Sequence, residues 1–256
     1  MKKEHPKNGL HTEYFENGQK KVEGNYTDGK KKDGKWTYWH ENGQIKLEAI
    51  YKDGNKDGKW TRWYENGQIE LEVNCKNEKL DGKQTEWYKN GQKKKEENFK
   101  DDKLDGKYTK WDENGQKKEE GNYKNVKQDG KWTGWHENGQ KKSEGKFKNG
   151  KADGKWTWWY ENGQAQSEVT FKDGNLVSQT DYTYHENGQK KSEGKFKNGK
   201  ADGKWTEWHR NGQIEEEINY KDGKLDGKWT EWHRNGQIEA ERNYKDGECI
   251  SGDCPD

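Results

Sequence analysis

The sequence predicts an all-β fold: an elongated single-layer antiparallel β-sheet, a meander of about ten tandem 24-residue β-hairpin repeats. Three observations predict it. The dipeptide Asn-Gly recurs at Asn17, Asn42, Asn66, Asn90, Asn114, Asn138, Asn162, Asn187, Asn211 and Asn235, in steps of 24 or 25 and with Gln after the Gly each time. Aromatic residues recur at fixed offsets from it. The composition leaves little for a closed core, with 24% of the 256 residues hydrophobic and 39% charged.

Such polarity would ordinarily predict disorder, because too little apolar surface is available to offset chain entropy. The 15 Trp, 13 Tyr and 5 Phe argue otherwise, since a disordered chain has no reason to keep them in register. The reading is an ordered but thin protein, packed through aromatic stripes. No single repeat buries enough to fold alone, so stability becomes a sum over neighbouring repeats.

Take the copy Asn42 to Glu65, NGQIKLEAIYKDGNKDGKWTRWYE. Asn-Gly between two strand-like runs predicts a two-residue type I′ turn, because both residues tolerate positive φ. Asp53-Gly54 predicts a second one. The strands then run over 44–52 and roughly 59–64. Tight turns place Glu65 opposite Gln68, Trp63 opposite Glu70, Thr61 opposite Glu72 and Lys59 opposite Glu48. The glutamates form an unbroken column from Glu23 and Glu48 to Glu217 and Glu241, facing lysines on one side and a nearly unbroken threonine column on the other. Cross-strand pairs of this kind stabilise a sheet by about 0.2 to 1 kcal/mol each.

Alternation of side chains assigns Trp60, Tyr64, Ile69, Leu71 and Val73 to one face, with the column Tyr26, Tyr51, Phe99, Tyr123, Phe147 and their equivalents. The other face carries Thr61, Glu72 and a second tryptophan column. A bulge near Asp-Gly-Lys would exchange part of this assignment.

The pattern divides the chain into an N-terminal extension (1–8), one continuous repeat domain (9–247, irregular near 175–183) and a C-terminal cap or tail (248–256). An extra residue lengthens the first Asp-Gly loop at Lys30-Lys31-Lys32. Another insertion falls in NLVSQTDYTYHENGQ, where Asp-Gly-Lys-Trp-Thr is lost; a kink there and neutral drift in one copy are both open. The tail GECISGDCPD reads as a degraded repeat that caps an edge.

The charge balance, 50 basic against 49 acidic residues, removes the usual argument for a nucleic-acid partner. No 18-residue apolar run occurs, which predicts no membrane span, and MKKEHPKNGL has no signal-peptide core. The expected location is cytoplasmic. Three cysteines, Cys75, Cys249 and Cys254, do not make a disulfide framework.

His40, His136, His185, His209 and His233 share one column, but equivalent positions lie two strands apart, roughly 9.6 Å, too far to gather round one zinc ion. They read as aromatic-like surface residues. No nucleophile elbow, phosphate loop or Cys-His pair appears, and the carboxylates sit on a flat sheet. The expectations are no catalytic residue, no metal, no cofactor and no enzyme activity. The candidate binding residues are the second tryptophan column: Trp39, Trp63, Trp87, Trp111, Trp135, Trp159, Trp208 and Trp232. Trp and Tyr dominate interface hot spots, so an exposed stripe of them suits a partner as well as it suits packing.

The recurring core GxYKDGKxDGKWTxWxENGQ, as in Gly145 to Gln164 and Gly194 to Gln213, resembles the MORN-repeat variant family and is similar in particular to YwqK-like antitoxins of bacterial toxin–antitoxin systems. The resemblance spans about residues 9 to 250. It implies an elongated sheet of hairpins acting as a non-enzymatic protein-interaction scaffold, with a protein partner that would be a toxin if the antitoxin likeness extends to function. Two other readings stay open: a carbohydrate or cell-wall binding repeat protein, and a membrane-surface tether with weak lipid binding. Homo-oligomerisation is open too.

Deleting one whole copy, residues 138–161, should leave a folded chain of slightly lower stability, measured by circular dichroism and urea unfolding. An unfolded product would point to a closed core.

Overall fold

The computed structural model describes residues 8–27, 30–31 and 34–255. The N-terminal extension through residue 7 and the lengthened first loop at 28, 29, 32 and 33 lie outside the described residues. Every regular element described is a strand, and no helix is long and apolar enough to cross a membrane. The chain divides into two compact units, residues 1–139 and 140–256.

Within each unit the strands follow one another as an antiparallel meander. In the first, Gly34–Trp39 pairs with Ile45–Lys52, which pairs with Asn55–Trp63, which pairs with Ile69–Lys76. In the second, Gly154–Trp159, Ala165–Lys172, Asn175–Tyr184, Lys190–Lys197 and Lys200–Trp208 do the same.

The Asp-Gly turns form as the sequence predicts. Asp53 (φ 48°) and Gly54 (φ 83°) both take positive φ between paired Lys52 and Asn55, the signature of type I′. The Asn-Gly loops differ from the two-residue expectation. Tyr64 N–H donates to Gln68 O (2.9 Å) and Gly67 N–H to Tyr64 O (3.0 Å), and only Gly67 has positive φ (81°). This is a three-residue loop, a type I turn closed by a glycine bulge. Trp63 therefore pairs with Ile69 instead of Glu70, Glu70 becomes the extra residue of a bulge, and the expected register returns at Thr61–Glu72. Ile69 consequently joins the face of Thr61, opposite to Leu71 and Val73.

The Asp-Gly-Lys segment holds the anticipated bulge, two residues wide. Cys75 pairs with Leu80, and pairing resumes at Glu72–Thr85. Asp81 N–H bonds Asn74 O (3.0 Å), while Asn74 Nδ2 donates to Lys83 O (3.0 Å), which satisfies backbone groups that the bulge would strand. The slip moves Lys59 off Glu48, which instead pairs with Thr61 and Thr37. Thus Glu48, like Glu23, Glu72, Glu96, Glu168 and Glu217, lies between two threonines, while Glu193 lies between Tyr182 and Thr206.

The core is a stripe along one face. Trp36, only 2% exposed, clusters with Val22, Ala49 and Tyr51. Tyr26 meets Trp36 edge-on at 4.8 Å, and Tyr51 lies 5.6 Å from Trp60. In the second unit Phe147 meets Trp156 at 4.9 Å and Phe196 meets Trp205 at 5.8 Å. Indoles of this first column lie directly over glycines of the adjoining strand: a methyl added at Gly24, Gly121, Gly145 or Gly194 would fall 2.2, 1.8, 2.1 or 2.0 Å from Trp36, Trp132, Trp156 or Trp205.

Two departures from the repeat stand out. Asn175–Tyr184 runs as one strand with a single-residue bulge at Val177 in place of the wide one. At the C-terminus Glu248–Gly252 pairs with Lys245 to Arg242, and Asp253 accepts from Glu241 N–H (2.9 Å) and donates its own N–H to Glu241 O (2.9 Å). Cys249 and Cys254 form a disulfide across this cap, while Cys75 is a buried free thiol whose pKa burial pushes up.

Gly121→Ala and Gly145→Ala should each lower stability by about 1 to 3 kcal/mol through overpacking against the indole, measured by urea unfolding. Unchanged midpoints would show that the indoles are not seated on these glycines.

Candidate interaction face

The face opposite the core stripe is built of a repeated four-residue arrangement: the second-column tryptophan, a lysine, a glutamate and a threonine. The Asn-Gly loop bulge creates it. By turning the residue after Gln onto this face, the bulge sets Lys20 Nζ 2.6 Å from Glu23 and 5.7 Å over the ring of Trp39. Lys93, Lys117, Lys141 and Lys190 repeat the arrangement over Trp111, Trp135, Trp159 and Trp208, at 5.8, 5.6, 5.8 and 5.1 Å. Cation–π contacts at such exposed sites contribute on the order of 0.5 to 1 kcal/mol. Where Ile45, Ile69 or Ile214 takes the lysine position, the following tryptophan (Trp63, Trp87 or Trp232) lacks that cation.

A lysine of the neighbouring strand also reaches the glutamate in many repeats, beside the first lysine at Glu96 and Glu120 and alone where isoleucine replaces it. Lys59 binds Glu72 (2.5 Å), Lys83 binds Glu96 (2.5 Å), Lys204 binds Glu217 (2.5 Å), and Lys35 and Lys228 bind Glu48 and Glu241. The lysine of each repeat thus pairs forward, because the wide bulge shifts it away from the preceding glutamate. Burial works against the Glu96 carboxylate, but Lys83 and Lys93 outweigh it and lower its pKa. Lys117, and then Lys107, do the same for Glu120. Exposed pairs of this kind stabilise weakly; their larger effect is to give the carboxylates beside the rings a cationic partner.

All eight second-column tryptophans are partly buried, none fully. They occupy one face within each unit, with Trp39, Trp63, Trp87, Trp111 and Trp135 in the first and Trp159, Trp208 and Trp232 in the second.

The column ahead of the Asn-Gly loops has a role that sequence reasoning missed. Tyr64 and Tyr88 donate their hydroxyls to Trp87 O (2.8 Å) and Trp111 O (2.9 Å). His40, His185 and His209 put Nε2 at 3.1, 2.6 and 2.8 Å from Trp63 O, Trp208 O and Trp232 O. A carbonyl only accepts, so Nε2 carries the proton. These rings are capping donors that tie each loop to the next, and the signal lay in the interchange of Tyr and His, two residues that share a ring-borne donor. Asn66 closes its own loop by accepting from Gln68 N–H (3.1 Å) and reaches Lys89 O of the next loop through Nδ2 (2.9 Å). Asn42, Asn90, Asn187 and Asn211 do likewise toward Glu65, Glu113, Arg210 and Arg234. The Asn-Gly-Gln signature is therefore a loop-to-loop clasp.

The opposite face is less balanced in the second unit, where Glu207, Glu216 and Glu231 stand in one cross-strand row. Burial first, and then Glu207 and Glu231, raise the pKa of Glu216.

A family model described as MORN repeat variant matches residues 7–28, 32–53, 56–77, 80–101, 104–125, 128–149, 152–173, 182–198, 201–222 and 225–246. Among solved structures the chain is similar to TcdB2-TccC3 (11% identity, TM-score 0.26, 92% of this chain and 16% of that one). It is similar also to TcdB2-TccC3-TEV (12% identity, TM-score 0.22, 92% and 15%) and to the Photorhabdus luminescens Tc holotoxin pore (11%, TM-score 0.26, 92% and 15%). The chain thus spans about a sixth of the length of those it matches. No curated protein matches it.

Because their native pKa values are lowered, Glu96 and Glu120 contribute stability above the ordinary carboxylate value of 4.5 and lose it as pH falls through the lowered ones. Glu96→Gln with Glu120→Gln should therefore flatten the acid side of a plot of Tm against pH. An unchanged acid slope would contradict the two-lysine clamp.

Proposed function

The chain belongs to the MORN repeat variant family, and we propose that its ten repeats form a non-catalytic scaffold presenting the second tryptophan column to a protein partner. The observation that carries this reading is the unequal treatment of two tryptophan columns in one repeat. The first builds the core stripe: Trp36, Trp132 and Trp156 are buried over glycines, while Trp60, Trp205 and Trp229 are half-buried on the same face. The second stays partly exposed along a face whose charges are paired off.

A partner laid on this face meets rings spaced two strands apart, each flanked by a lysine stem or an isoleucine. Desolvating such rings is inexpensive, because the nearest charges already satisfy one another. Catalysis has little support in the geometry. The carboxylates that recur are bound to lysines or opposed by threonines, and the His and Tyr rings are engaged with backbone carbonyls. The likeness to YwqK-like antitoxins takes the reading one step further: the partner would be a toxin, neutralised by being held along the sheet.

The test is co-purification with the double variant Trp111→Ala, Trp135→Ala. The variant should lose the partner that the wild type captures while keeping the same β-sheet circular dichroism spectrum. Retention of the partner at wild-type levels would move the binding surface away from these rings.

A further inference from the structure

The turns opposite the Asn-Gly loops are clasped as well, by a different device. In most regular repeats the wide bulge supplies an Asp carboxylate and a carbonyl to the tight turn of the next. Asp222 N–H and Gly223 N–H donate to Asp202 Oδ2 (3.2 Å) and Ala201 O (2.8 Å). Asp246 and Gly247 bond Asp226 (3.4 Å) and Leu225 O (2.8 Å), and Asp173 and Gly174 bond Asp153 (3.5 Å) and Ala152 O (2.8 Å). In the first unit Asn125 and Val126 use Asp105 (3.1 Å) and Leu104 O (2.8 Å). In these four the Asp follows Ala or Leu; a fifth clasp, at Asn77 and Glu78, uses Lys56 and Asp57.

One rung is broken. The turn Asn198-Gly199 has the same geometry (φ 51° and 74°), but the segment that should clasp it is Leu176-Val177-Ser178, without a carboxylate. Neither bond is made among the described residues. A cleft of about 400 Å³ lies here, with Val177 and Ser178 on one side and Lys195, Phe196 and Lys197 on the other. Val177 is 45% and Leu176 37% exposed, so apolar surface borders the cleft. Lys195 and Lys197 have no ion-pair partner among the described residues, and the one carboxylate in the lining, Asp202, already accepts from Asp222.

We infer that this cleft binds an extended segment of a partner protein that presents an aliphatic residue followed by Asp, which completes the broken rung in trans. The Asp carboxylate takes the Asn198 N–H, the preceding carbonyl takes the Gly199 N–H, and the aliphatic side chain covers Val177 and Phe196. Lys195 and Lys197 supply the complementary charge. The chemistry is that of the chain's own clasps. The cleft is separate from the tryptophan face, so either proposal can fail while the other stands.

The probe is the blocked peptide Lys-Leu-Asp-Gly-Lys-Trp-Thr, a copy of residues 224–230, titrated into the ¹⁵N-labelled full chain. Amide shifts should concentrate at Val177, Ser178, Asn198 and Gly199. Changing the peptide's Asp to Asn should weaken binding about tenfold, the loss expected of one charge-assisted hydrogen bond. Ser178→Asp should move the Asn198 amide without peptide and weaken the peptide similarly; Lys195→Gln with Lys197→Gln, a surface change, should also weaken it. Shifts absent at Asn198 and Gly199, or spread equally over the clasped turns at 173–174 and 222–223, or indifferent to the Asp-to-Asn change, would overturn the assignment.

Discussion

A single layer of sheet has no second layer to bury against, so apolar surface must be covered by neighbours within the layer. In this chain that cover is an indole lying flat over a glycine one strand away. Burying about 200 Å² of indole contributes roughly 5 kcal/mol, more than any ion pair on the opposite face. The glycines at 24, 121, 145 and 194 are needed for the absent Cβ, because a methyl group there would overlap the ring. Where the column holds Ala49, Val73 or Ile218 instead, these residues are themselves buried and join the stripe directly.

Most of the remaining consensus keeps this stacking in register. Two kinds of bulge do the setting. The glycine bulge at Asn-Gly turns one residue onto the far face and brings a lysine over the second tryptophan; the wide bulge at Asp-Gly slips the strand by two residues and leaves glutamate between two threonines. Register in a sheet with weakly distinguished faces is otherwise prone to slippage. Both edges of the meander are then clasped, one by Asn, Tyr and His donors, the other by Asp carboxylates. Function follows from what these devices leave over: rings that are positioned but only partly covered, and one turn that has lost its clasp.

Much of this was legible in the residues. The period, the all-β class, the type I′ turns at Asp-Gly and the Thr61–Glu72 register all follow from turn chemistry and column identity. Three features were not. Asn-Gly serves both two-residue and three-residue loops, and the choice is made by the Tyr64–Gln68 bond, which no local rule announces. That choice sends Ile69 to the other face. The partner of Lys59 depends on the width of a bulge, and Asn74, the residue that fills it with a side-chain bond to Lys83, looks in sequence like any exposed strand position. The histidines read as surface aromatics because their acceptors are carbonyls 23 residues away.

Everything here rests on stability being passed from neighbour to neighbour, without a shared core. Native-state amide hydrogen exchange, with and without reduction of Cys249–Cys254, tests this most directly. Opening the cap should lower protection in Ile238–Lys245 and Glu248–Gly252 and leave Gly34–Trp39 and Ile45–Lys52 unchanged. An equal loss of protection in all four strands would mean one cooperative core and would contradict the account.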